Sequence, residues 1–297
     1  MPLNFTILIK MKKNKYTIIL FYKFIKIKNP EFFRDKQKGI AQSFGLTGRM
    51  LVATEGVNAT FEGQSENIKK YIKKLKTQSI FKDVVFKYSV GNGKAFTKLQ
   101  VKVRPEVVTL GVGDLNIKKD TAPLVTASKL ESMYVKKEDF VVLDLRNDFE
   151  IQAGYFEKTV NPNLRKFKDL PAKIKELSYL KNKKVVAVCT GGIRCEKATV
   201  LLKKEGFNNL YQLKDGIHTY MKKYPGKHFK GSLFVFDNRM ITPVVAGAKR
   251  DVVGQCNYCQ IACEEFYNDD SVRPSRKVIC CDGCIVRHKK LRPAIPL

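Results

Sequence analysis

No cysteine occurs before residue 189 in this chain of 297 residues. A disulfide-stapled secreted protein spreads its cysteines through the fold, so the late cluster of eight points to a reducing compartment instead. No apolar run reaches the roughly 20 residues needed to span a bilayer. The stretch 18–27 is apolar but broken by Lys23 and Lys26, and it reads as a strand. The N-terminus also lacks a convincing small-residue cleavage site of the kind that ends a signal peptide. Met1 and Met11 both stand as candidate starts, with residues 1–15 read as an N-terminal extension. The sequence carries no metal triad suited to oxygen chemistry, and no flavin, haem or nucleotide motif. Acidic residues are scarce: 28 against 56 basic, a net charge of +28. Such an excess suits a polyanionic partner, nucleic acid first, although charge supplies affinity rather than specificity. The chain is expected to be cytoplasmic, with no membrane and no obligatory protein partner.

The length suits two or three domains. The stretch that organises them is Val185-Val186-Ala187-Val188, an apolar β-rich run that reads as a strand buried on both faces. A loop from Cys189 to Arg194 follows, and helical spacing then runs from Glu196 to Glu205. A cysteine at the carboxyl end of a central strand lies where open α/β sheets place their ligands. The loop N–H groups, the helix N-terminus and the fixed charge of Arg194 each favour thiolate over thiol. Cys189 is therefore expected to be a nucleophile. Thr190, Gly191, Gly192 and Ile193 form its anion-binding loop, the two glycines turning N–H groups inward. Cys195, in the first helical turn, is a second candidate thiol. With four residues between Cys189 and Arg194, the ring is smaller than in phosphate-cleaving cysteine enzymes and suits a smaller group, such as the outer sulfur of a persulfide.

Around that centre, residues 16–120 read as a β-α-β-β-α-β ferredoxin-like unit. Its strands are Tyr16–Phe24, Met50–Ala53, Val57–Phe61, Val84–Tyr88 and Leu99–Val103. Its helices are one starting at Asn29-Pro30 and ended by Gly45 and Gly48, and one capped by Ser65. The second helix buries Ile68, Tyr71, Ile72 and Leu75 and exposes lysines. Spacing of two puts Lys98, Lys102 and Arg104 on one strand face, a candidate for RNA phosphate. Residues 125–225 read as a parallel α/β domain, with Ser128 capping a short helix, a strand over 140–145, a helix over 170–178 capped by Asp169, and Asp215-Gly216 opening a last helix. Asp144 and Arg146, at the end of the 140–145 strand, are expected to support the site.

Residues 226–297 form a small cysteine-rich module. Leu233 to Phe236 opens it as a strand. Further on, Cys256-x2-Cys259 and Cys281-x2-Cys284, with 21 residues between them, match a structural zinc pattern. Zinc is expected there, with Cys263, Cys280 and His288 leaving the ligand choice open.

Three segments carry a wider resemblance. They are Thr-Gly-Arg-Met-Leu-Val-Ala-Thr-Glu-Gly-Val-Asn-Ala-Thr at 47–60, Leu-Gln-Val-Lys-Val-Arg at 99–104 with Glu-Val-Val-Thr-Leu-Gly at 106–111, and Leu-Asp-Leu-Arg-Asn-Asp-Phe-Glu at 143–150 with Asn161-Pro162-Asn163 and the Cys189–Lys197 loop. Together with the cysteine-rich tail, they resemble the bacterial rhodanese-like tRNA uridine hydroxylases over roughly residues 16–285. The resemblance implies a rhodanese fold for 125–225. It also implies that Cys189 is catalytic and that uridine 34 of the tRNA anticodon stem-loop becomes 5-hydroxyuridine with molecular oxygen as co-substrate. The residues leave open whether Cys189 adds to carbon 6 of uracil or works in an oxidised or persulfidated form. The alternatives are a persulfide-carrying sulfurtransferase and a non-enzymatic RNA-binding protein.

Overall fold

The structure, a computed structural model, describes residues 15–248 and 250–294. The expected extension over 1–15 thus lies almost wholly outside the described residues. The chain divides between Thr109 and Leu110 into two compact units.

The first unit is one five-stranded sheet carrying two helices. Its elements are β1 (Tyr16–Phe24), α1 (Pro30–Ser43), β2 (Thr47–Ala53), β3 (Gly56–Gln64), α2 (Ser65–Lys76), β4 (Lys87–Gly91) and β5 (Leu99–Val103). The strand order is β4-β1-β3-β2-β5. β1, β3, β2 and β4 pair antiparallel, as the ferredoxin-like reading requires, and β5 adds a parallel edge beside β2. Ile19, Phe21, Met50, Val52 and Phe61 form the buried face with Ile68, Tyr71, Ile72 and Leu75 of α2. Asn29 caps α1 by accepting from the Phe32 N–H at 3.0 Å, with Pro30 in the first turn.

Three local expectations shift. Gly48 does not end α1. It lies inside β2 at φ +130°, where a Cβ would sit 2.2 Å from the Thr60 carbonyl oxygen, so only glycine allows that close pairing. Ser65 is the first helical residue rather than the cap, and its hydroxyl bonds that of Thr17 at 2.8 Å. Val84 and Phe86 are buried before β4 begins, so their apolar character came from core packing and not from a strand.

The second unit centres on a parallel sheet. Its strands are β6 (Leu124–Val125), β7 (Val141–Asp144), β9 (Thr159–Val160), β10 (Val185–Val188) and β11 (Leu210–Leu213), in the order β6-β11-β10-β7-β9. All four residues of β10 are buried, as a central parallel strand demands. The helices are α3 (Ile117–Asp120), α4 (Ala127–Val135), α5 (Asp148–Gln152), α6 (Leu170–Lys173), α7 (Ile193–Lys204) and α8 (Gly216–Lys223). Thr126, not Ser128, caps α4. The helix expected over 170–178 is broken into α6 between two 3-10 turns. The Asp169 carboxylate accepts from the Lys166 N–H and caps the preceding turn instead.

β8 (Gly154–Phe156) pairs with β12 (Phe229–Gly231), and β13 (Leu233–Phe234), shorter than expected, pairs with β14 (Ile241–Thr242). The cysteine-rich end is a three-stranded sheet of β15 (Phe266–Asp269), β16 (Arg276–Ile279) and β17 (Leu291–Pro293), with a short helix α9 (Asp282–Ile285).

Candidate active site at the end of the central strand

β10 delivers Cys189 to the carboxyl edge of the sheet, fully buried. The chain then turns through Thr190, Gly191 and Gly192, and Gly192 adopts φ +101°. α7 begins at Ile193, three residues earlier than its apolar spacing indicated. Arg194 and Cys195 consequently sit in the first helical turn, and their backbone N–H groups point at the Cys189 sulfur. The Gly192 N–H donates to the same sulfur at 3.1 Å.

Burial alone pushes the Cys189 thiol up. The Cys195 thiol donates a hydrogen bond, Arg194 adds its charge and the backbone N–H groups add theirs, and together they bring Cys189 down to about 5. Cys195 is driven the other way, by its own burial and by the neighbouring Cys189 sulfur. The two thiols thus divide: Cys189 the thiolate, Cys195 the protonated donor.

Arg194 is not the isolated cation that the sequence suggested. Its Nη1 meets Glu150 Oε1 at 2.5 Å and its Nη2 meets Oε2 at 2.9 Å, with both side chains buried. Thr190 Oγ1 accepts from Arg194 Nη2 at 3.2 Å and donates to Glu150 Oε2 at 3.4 Å. Glu150 also accepts the Asn147 N–H at 3.0 Å, tying the start of α5 to the loop.

Beneath lies a second buried pair. Arg146 donates through Nε and Nη2 to Asp144 at 3.0 and 2.6 Å. Its other N–H groups reach the carbonyls of Glu150 (3.3 Å) and Gly154 (2.7 Å), so it ties the middle of α5 to the start of β8. α8 holds the loop from the other side. The N–H groups of Ile217 and His218 donate to the carbonyls of Cys189 and Thr190 at 3.0 and 3.1 Å. Gly216, at φ +71°, allows this approach, because a Cβ there would lie 2.6 Å from the Cys189 carbonyl oxygen.

The cysteine-rich end gathers a separate group. The sulfurs of Cys256, Cys259, Cys281 and Cys284 all lie within 4.8 Å of one another, a spacing that can hold a metal ion. Cys263 and Cys280 are outside this group, each pushed up to about 12, first by burial. His288 stacks on Tyr258 with ring centroids 3.6 Å apart and is not part of the four-cysteine group.

Residues 16–107 match a UPF0176 acylphosphatase-like domain, 126–223 a rhodanese-like domain and 230–292 a rhodanase C-terminal region. A curated protein of Aster yellows witches'-broom phytoplasma (strain AYWB), named tRNA uridine(34) hydroxylase, is 38% identical over 276 residues, covering 91% of this chain and 89% of that protein. The chain belongs to the tRNA uridine(34) hydroxylase family. A member of the same name from Bacillus licheniformis is 36% identical over 273 residues, covering 91% of this chain and 84% of its own. Among solved structures, a rhodanese-like domain protein from Staphylococcus aureus is 22% identical, covering 33% of this chain and 90% of that one, with a TM-score of 0.29.

The cations that strand spacing marked for RNA phosphate sit in the first unit. Lys98, Lys102 and Arg104 are all exposed, but only Lys102 lies within β5, while Lys98 and Arg104 flank the strand. Sequence reasoning placed Gly216 at the opening of a helix and gave neither it nor Glu150 a role at the Cys189 loop. Asn147 followed three residues later by glutamate signals a helix start. Nothing in that pattern signals where the glutamate side chain turns.

Proposed function

We propose that this chain hydroxylates carbon 5 of uridine 34 in the tRNA anticodon, giving 5-hydroxyuridine, with molecular oxygen as co-substrate. The observation that carries the reading is the Cys189 thiolate held at the strand end of a rhodanese-like loop, in a chain whose relatives of near-equal length are named for that reaction. The same names favour hydroxylation over simple sulfur transfer. Cys189 is the reacting group: its sulfur adds to carbon 6 of uracil as the C5–C6 double bond opens, which makes carbon 5 electron-rich. Carbon 5 takes one atom of O2, and the other leaves as water with two electrons from an external reductant. Loss of the carbon 5 proton then expels the Cys189 sulfur and restores the double bond. Cys195 holds the thiolate by hydrogen bond. Thr190, Gly191, Gly192 and Ile193 shape the anion pocket, while Arg194, with Glu150, and the Asp144–Arg146 pair fix its walls. Lys98, Lys102 and Arg104 meet phosphates of the anticodon stem-loop. A tRNA substrate places the protein in the cytoplasm.

A tetrahedral zinc ion has Zn–S bonds near ~2.3 Å, which sets sulfurs roughly 3.8 Å apart. Four sulfurs within 4.8 Å fit that set after slight closure, and Cys256, Cys259, Cys281 and Cys284 hold the ion. Zinc there cross-links the chain segments that precede β15 and follow β16, and does no chemistry on uridine.

The test is mass spectrometry of tRNA nucleosides from cells lacking the gene and from cells complemented with it. Restored 5-hydroxyuridine supports the reading. Its absence, together with sulfur transfer from thiosulfate by the purified protein, overturns it.

A further inference from the structure

α5 presents Glu150 to the Cys189 loop, and its other residues border a different space. Asp148, Phe149 and Gln152 line a cavity of about 690 Å³ whose opposite wall is β16 and the turn before it. Five cationic side chains line it: Arg165 and Lys166 from the rhodanese-like domain, and Arg276, Lys277 and Arg292 from the cysteine-rich end. The one carboxylate on the lining is Asp148, held up chiefly by burial, against the charges of Arg165 and Arg276. Behind the wall, Asp269 takes the Nε edge of Arg276 at 3.3 Å, and Asp270 takes that of Arg292. With both counted, the lining stays net positive. The Arg165 guanidinium bridges the two walls by donating to the Pro274 carbonyl at 3.2 Å. Amides complete the lining. Asn257 and Asn268 already accept through Oδ1, from the Ile279 N–H and the Lys277 ammonium, which leaves the NH₂ of each as a donor.

The volume is that of an ordinary ligand site. The composition is not that of a small-anion site, which buries converging donors. Arg165, Lys166, Arg276 and Arg292 are exposed, and only Lys277 is half-buried. Solvated cations spaced along two walls, with amide donors among them, match the way proteins hold a phosphodiester backbone. We propose that this cavity binds the phosphate backbone of RNA. Resting on the function proposed above, the RNA is the tRNA strand that flanks the target uridine. One short helix joins the cavity to the Cys189 loop, so backbone held here keeps a neighbouring, unstacked base beside the thiolate.

The experiment measures the affinity of an unmodified tRNA transcript for the full-length protein across a salt series. Three proteins are compared: wild type, Arg165→Ala/Lys166→Ala and Asp148→Asn. The double variant should bind roughly tenfold more weakly near 0.1 M salt, with a log–log salt slope shallower by about two, one for each lost phosphate contact. Asp148→Asn removes the opposing charge and should bind a few-fold more tightly, a gain that misfolding cannot imitate. Equal affinity and slope in all three proteins overturn the proposal. So does stoichiometric pyrophosphate binding that the double variant loses while its tRNA affinity stays unchanged, since the cavity is then a small-anion site. Nucleoside analysis of tRNA from cells that lack the gene and are complemented with each of the three proteins, where cellular reductants are present, separates the two readings. If wild type makes 5-hydroxyuridine and the variants bind normally, the cavity assignment alone fails. If the variants bind as expected and wild type makes none, the proposed reaction fails and RNA binding here stands.

Discussion

Arg194 and Glu150 meet fork to fork, at 2.5 and 2.9 Å, one residue on the first turn of α7 and the other on α5. The pair gives the Cys189 pocket a rigid wall and also limits how much of the arginine charge the thiolate feels. Glu150→Gln keeps the shape and removes the negative charge. A buried charge left without its partner costs on the order of 3–5 kcal/mol, and glutamine, which still accepts a hydrogen bond, should fall near the lower end. The Cys189 thiolate should then titrate lower than in wild type, because Arg194 is no longer offset. Thermal unfolding together with the pH profile of Cys189 alkylation checks both effects. An unchanged profile in a destabilised variant would show that the pair is structural only.

Cys189 falls to about 5 from an ordinary thiol value of 9.0. Its alkylation rate should therefore rise through pH 5 and level off well below neutrality. The thiolate contributes stability that is fully present above the unfolded value and is lost as pH falls through the folded one, so the loss spans about pH 9 to 5. Because the sulfur is fully buried, the plateau rate should still be slower than that of an exposed thiolate, as the loop must open first. Cys189→Ala should abolish 5-hydroxyuridine formation. Cys195→Ala should leave some and move the alkylation midpoint upward, since the thiolate loses a donor. The reverse ranking of the two variants would mean that Cys195 is the reacting thiol.

The place of Cys189 was legible because it follows from the strand itself: Val185–Val188 admits one place in a sheet, and a cysteine after it falls at the ligand edge. The paired Cys-x2-Cys spacing was equally local, and the four sulfurs do converge. What escaped were relationships between segments far apart in sequence. Glu150 reaches Arg194 across 44 positions and Gly216 reaches the Cys189 carbonyl across 27, and a side chain's direction leaves no mark on periodicity. Helix limits moved for a similar reason. α7 starts at Ile193 because the Gly192 turn and the Cys189 sulfur organise its first N–H groups, whereas apolar spacing becomes visible only once the core is reached.

Protein purified without chelator should carry about one zinc per chain, as a closed four-thiolate site requires. Removing it should loosen the cysteine-rich end and spare the first unit, whose core contains none of these residues. Hydrogen exchange of the β15–β17 sheet before and after chelation reports this directly. Metal-free protein with full protection in that sheet would refute a structural role.

The last expectation concerns β5. It is the edge strand of the first unit, with Val101 buried on one side and Lys102 exposed on the other. Lys98 and Arg104 extend the same alternation past both ends, although the Arg104 guanidinium also bonds back to the Val103 carbonyl at 3.0 Å. An exposed edge that carries basic side chains has two explanations. Charge on an edge discourages pairing with another strand, and charge in a row meets phosphate. The two differ in what salt does. If these side chains meet phosphate, Lys102→Ala/Arg104→Ala should weaken tRNA binding severalfold and flatten the salt slope by up to two, while Cys189 alkylation stays at the wild-type rate. If they guard an edge, tRNA affinity and slope should match wild type, and the variant should instead aggregate more readily as protein concentration rises. Measuring tRNA affinity across a salt series beside light scattering across a concentration series decides between phosphate contact and edge protection.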